Sequence, residues 1–130
     1  MTGLYIILAH LVGDYLLQPH WMAELKTQMW LPAILHGVLY TLPYILITQS
    51  ILALSVICIT HIVIDRFRLV RYLIWIKNQI GPKSVRHPWK ECKTIGYWEV
   101  NPPAWLAVWL MIISDNTLHL IINTFSVVWL

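Results

Sequence analysis

The sequence predicts an all-α integral membrane protein, a four-transmembrane-helix bundle with a basic polar loop between helices 3 and 4, folded as a single domain over 1–130. Three observations predict it. Hydrophobic residues make up 58% of the chain and charged residues 12%, and the mean hydropathy is +0.65. That is more apolar surface than a soluble domain of this length can hide. Four apolar segments each approach the roughly 20 residues that cross a bilayer. All nine Lys and Arg fall in segments that this arrangement puts on one side.

The first helix is expected over about 2–18. It carries Asp14 and has neither a basic start nor a small-residue cleavage pattern, so it does not read as a signal peptide. The second is expected over 30–48, with Pro32 in its first turn, where a missing N–H costs nothing, and Pro43 inside, where it predicts a kink. Only Gln49 and Ser50 precede the third, over 51–76, so the two form a tight hairpin. The stretch 77–101 holds Lys77, Lys83, Arg86, Lys90 and Lys93, broken by Gly81-Pro82 and His87-Pro88, and reads as a cytoplasmic loop against the headgroups. The fourth helix is expected over 102–129, capped by Asn101 and started by Pro102 and Pro103.

Lys26, Arg66, Arg68, Arg71 and the five loop cations share one side, which the positive-inside rule makes cytoplasmic. The expected location is a bacterial inner membrane, multi-pass, with both termini periplasmic. Eight Trp suit the membrane–water interface, and a net charge of +3 points to anionic lipid headgroups rather than nucleic acid. Cys58 and Cys92 have neither zinc-site nor redox-pair spacing, and a disulfide between a helix and a distant loop is not expected.

The ionisable residues inside these apolar helices carry the chemistry. His10 and Asp14 form H-x-x-x-D on the first helix, and His61 and Asp65 repeat it on the third. Asp115 and His119 form the reverse on the fourth, and His36 stands on the second. Residues four apart share a helix face, so one ion can bridge each pair. Counting ~1.5 Å per residue brings the seven residues to similar depths. Intramembrane ionisable groups face an interior or a cavity. The plain alternative for each is a neutralised His–Asp pair, a proton path or, for His36 alone, an interhelical hydrogen bond. For Arg66, Arg68 and Arg71 it is headgroup anchoring.

Imidazole and carboxylate ligands without thiolate suit zinc, iron or manganese. Seven ligands exceed what one tetrahedral ion takes, so two divalent ions sharing a carboxylate are expected. Such sites cleave phosphate esters. Asp65 and Arg68 are the expected catalytic pair, with Arg68, joined by Lys26, holding the substrate phosphate.

The segments "HLVGDYLLQ", "LHGVLY", "THIVIDRFRLVRY" and "WLMIISDNTLHLIIN", with Trp21-Met22-Ala23 and Lys26, resemble the bacterial and phage integral-membrane family called domain of unknown function 3307. That family is similar to membrane-bound metal-dependent hydrolases and, remotely, to zinc-dependent phospholipase C and single-strand nucleases. The resemblance implies metal ligation by His36, His61, Asp65, Asp115 and His119, with His10 and Asp14 as an amino-terminal pair. It also implies a zinc-dependent hydrolase of a phosphate ester; the expected depth of the site in the membrane suits a lipid or lipid-linked one.

Two other readings use the same residues. One is a metal-stabilised, non-catalytic envelope protein, for example phage-encoded, acting through protein contacts. The other is a di-iron oxidase, which six histidines, four of them in helices, argue against. Homo-oligomers would suit the exposed aromatic faces.

Overall fold

The computed structural model describes residues 2–100 and 102–130, and every regular element among them is a helix. Six α-helices follow one another: α1 (Thr2–Leu11), α2 (His20–Leu25), α3 (Trp30–Thr41), α4 (Ile51–Phe67), α5 (Val70–Asn78) and α6 (Ala104–Trp129). The all-α class holds, but the four-span bundle does not. Among the described residues only Ala104–Trp129 is long and apolar enough to cross a membrane.

Each of the other expected spans is cut short for a local reason. The first continues beyond α1 as a π-helical segment, Val12–Leu16, closed by the wide Leu17 N–H to Val12 O bond of 3.0 Å, and ends before Pro19. The second stops being α-helical at Thr41, and Leu42–Leu46 is a 3-10 segment around Pro43. Proline lacks the N–H and crowds the preceding turn. The third breaks at Arg68, whose φ of 51° lies in the left-handed region. An L-residue there costs about 1–2 kcal/mol, and neither Pro nor Gly at that point announces it in the sequence. Residues 20–25, expected as loop, form α2. Asn101, expected as a helix cap, lies outside the described residues.

The chain divides into two compact units. The first comprises residues up to Phe67 together with His119–Leu130. Here α3 packs on α4 so closely at Gly37 that a Cβ would overlap the Ile62 side chain and lie 3.4 Å from Cys58 O. The π-helical segment meets α3 just as tightly, since a Cβ on Gly13 would sit 2.6 Å from Tyr40 Cδ2. These two glycines set the helix spacing that brings polar side chains together. Around Ile6, Ala9, Tyr40, Tyr44 and Ile57 the core also buries His10, His36, His61, Asp65, His119 and Asn123. Outer faces carry Leu4, Ile7, Leu8, Leu11, Ile34, Leu35 and Val38, all exposed. Polar side chains thus share the interior with apolar ones, while many large apolar side chains lie outside.

The second unit is Arg68–Leu118. Its loop folds back on α5: Trp75 Nε1 donates to His87 O at 3.0 Å and Arg71 Nη1 to Lys93 O at 3.1 Å. Tyr72 stacks on Trp89 with centroids 4.6 Å apart, and His87 on Trp98 at 3.9 Å. Cys92 is buried beneath, and burial pushes its thiol pKa up.

Candidate metal centre

Four ligand atoms from three segments of the first unit meet at one point. Asp14 comes from the π-helical turn, His36 from α3, and His61 with Asp65 from one face of α4. Nε2 of His36 lies 2.9 Å from Nε2 of His61, 3.1 Å from Asp14 Oδ1 and 3.3 Å from Asp65 Oδ2. His61 Nε2 in turn lies 3.4 Å from Asp14 Oδ1 and 3.3 Å from Asp65 Oδ2. A tetrahedral ion with bonds of 2.0–2.2 Å has ligand–ligand edges of about 3.3–3.6 Å. These five edges lie at or just below that range.

Each carboxylate turns one oxygen into the centre and the other onto a flanking imidazole. Asp14 Oδ2 faces His10 Nδ1 at 3.5 Å, and Asp65 Oδ1 faces His119 Nε2 at 3.3 Å. His10 and His119, both 1% exposed, therefore sit beside the four-atom centre, with ring centroids 6.1 Å apart.

Behind them runs a second layer of hydrogen bonds. Asn123 Nδ2 donates to Tyr40 Oη at 2.5 Å and to Tyr44 Oη at 2.7 Å, and the Tyr44 hydroxyl donates to Ile6 O at 3.3 Å. The Tyr40 hydroxyl also lies 2.7 Å from His10 Nδ1 and 3.4 Å from the Tyr44 hydroxyl. The Tyr40 ring stacks flat on His61, with centroids 3.6 Å apart and planes at 13°. That contact orients His61 in place of an outer hydrogen bond, because the Nδ1 atoms of His36 and His61 are buried and have no partner among the described residues.

One cation already occupies this neighbourhood. Lys26 Nζ donates to Asp65 Oδ2 at 2.6 Å and lies 3.3 Å from His36 Nε2. The backbone beyond it is held in turn. Arg66 donates Nη1 to Thr27 O at 2.5 Å and Nη2 to Gln28 O at 3.1 Å, with its guanidinium 5.3 Å from the Trp30 ring.

Of the residues expected at the site, His36, His61, Asp14 and Asp65 supply the four central atoms, and His10 and His119 flank them. Asp115 stands one turn before His119 on α6 and belongs to the second unit. Arg68 also belongs there, with Nη2 3.9 Å from Met111 Sδ. Sequence reasoning missed Tyr44 as a network member. Its signal was the spacing of four from Tyr40, itself four from His36.

Fold and site together define an all-helical protein with a buried His/Asp cluster able to hold a metal ion. The chain belongs to the family described as "Protein of unknown function (DUF3307)", which matches residues 3–122. Neither the curated proteins nor the solved structures contain a match.

Proposed function

We propose that the protein is a metal-dependent hydrolase of a phosphate ester, zinc being the ion that suits a mixed imidazole–carboxylate set. The convergence of Asp14, His36, His61 and Asp65 on one point carries this reading. Two carboxylates and two neutral imidazoles balance one divalent charge. A bound ion supplies Lewis acidity and activated water near neutral pH. The chain's own residues supply the rest. His10 and His119 hold the outer carboxylate oxygens, Tyr40 orients His61, and Lys26 is the nearest cation for a substrate phosphate. Were a second ion bound, Asp65, whose Oδ2 faces His61 and whose Oδ1 faces His119, is the carboxylate that would be available to both.

The reading includes a location at the bacterial cytoplasmic membrane and a lipid or lipid-linked substrate. Support comes from the exposed apolar side chains of α1 and α3 and from the length of α6. Apolar patches on monomeric soluble proteins rarely exceed a few hundred Å².

Elemental analysis of the purified protein, paired with hydrolysis assays on phospholipids and phosphodiesters, tests this proposal. Stoichiometric metal and an activity abolished by Asp65→Asn are expected. A metal-loaded preparation inert to every ester offered would overturn it.

One observation favours a second reading. Four protein ligands around one point leave no open corner, which is the pattern of structural zinc. In that reading the ion clamps the helices and the protein acts by contact with a partner. Asp65→Asn separates the two: a clamp loses stability and activity in step, whereas a catalyst loses activity first.

A further inference from the structure

We infer that Lys26 is the resident countercation of the four-atom centre and is exchanged for the divalent ion when one binds. This inference rests on the metal reading above and concerns how the same site is loaded.

Charge makes the first argument. Asp14 and Asp65 bring two negative charges to a buried site. A divalent ion cancels both. An ammonium cancels one, and Lys26 supplies it: Nζ is 2.6 Å from Asp65 Oδ2, with the side chain only 18% exposed. Ion and ammonium together would leave a buried excess of positive charge.

Geometry makes the second. Lys26 Nζ touches Asp65 Oδ2 and His36 Nε2, which are two of the four atoms that converge on the centre. An ion bonded to Oδ2 at 2.0–2.2 Å would lie no more than about 5 Å from that ammonium, with little room for water between them. An ion on Oδ2 draws electron density from that oxygen and repels the ammonium beside it, so the doubly charged partner prevails.

The chain is built to let the side chain leave without unfolding the loop. Lys26 follows α2, and the carbonyls of the next two residues are pinned by Arg66. Rotation about the flexible lysine stem is enough to withdraw the ammonium, since its four-carbon chain carries the charge far from Cα.

The experiment measures zinc affinity of the full chain by competition with a chromophoric chelator, for the natural protein and for Lys26→Met. Lys26→Met is expected to bind zinc at least tenfold more tightly and to melt at a lower temperature when metal-free. Because that variant leaves Asp65 unpaired until zinc is present, a second measurement uses the natural protein. Acetylation of Lys26, followed by peptide mass spectrometry, should quicken several-fold when zinc is added. Equal or weaker zinc binding by Lys26→Met, or labelling that zinc leaves unchanged, overturns the exchange alone. Zinc bound by neither protein overturns the metal reading and the exchange together.

Discussion

The Nε2 atoms of His36 on α3 and His61 on α4 lie 2.9 Å apart, and each faces the Asp14 and Asp65 carboxylates within 3.4 Å. Two ring nitrogens so placed share either a proton or a cation. A cation also satisfies both carboxylates, so chelation should destabilise the fold. With the free ion at a hundredfold its Kd, the bound state is favoured by about 2.7 kcal/mol. Thermal melts with and without EDTA check this, and His61→Ala should melt identically in both. A natural protein whose melt ignores EDTA sinks the prediction.

Tyr40 should separate stability from ligation. Its hydroxyl receives the Asn123 amide and engages His10, while its ring stacks on His61. Tyr40→Phe leaves buried polar partners unsatisfied and should cost about 1–3 kcal/mol in denaturant unfolding. Zinc affinity should stay within a few-fold because the stack survives. Tyr40→Leu removes the stack as well, and there zinc affinity should fall. If Tyr40→Phe weakened zinc binding as much as Tyr40→Leu, the stack would not be what orients His61.

Two glycines predict opposite outcomes. Gly37→Ala drives a methyl into Ile62 where α3 meets α4, and overpacking of this kind costs about 1–3 kcal/mol. Gly3 on α1 faces open space, with nothing within 4 Å of the position a methyl group would take, so Gly3→Ala should be neutral or stabilise by up to about 1 kcal/mol. Equal effects at the two positions, read by the same unfolding assay, would contradict the close approach of α3 and α4.

The apolar outer faces should require cover. Freed of detergent, the protein is expected to self-associate, and added to lipid vesicles it should float with them. A monomer that stays soluble in plain buffer and ignores vesicles would remove the support for a membrane location.

Much of the helical content was legible from the apolar segments and from proline placement, as Pro43 and the 3-10 segment around it show. Span length was not. Counting apolar residues treats 51–76 as one rod, yet Arg68 turns left-handed within it, a departure that no local residue signals. Within a helix, spacing was informative: His61 and Asp65, four apart, lie 3.3 Å from each other. Between helices it was silent. Nothing in the spacing of Lys26 says that its ammonium reaches Asp65, 39 residues away.

By itself the sequence determined which side chains share a helical face, that imidazole and carboxylate rather than thiolate are the available ligands, and that the outer faces are apolar. These properties follow from a 3.6-residue period and from side-chain chemistry, both local. Only the tertiary structure decided which histidines supply the central atoms and which flank them, and that Lys26 enters the centre. Convergence depends on how closely helices approach, and here that distance is set where Gly37 meets Ile62 and Gly13 meets Tyr40.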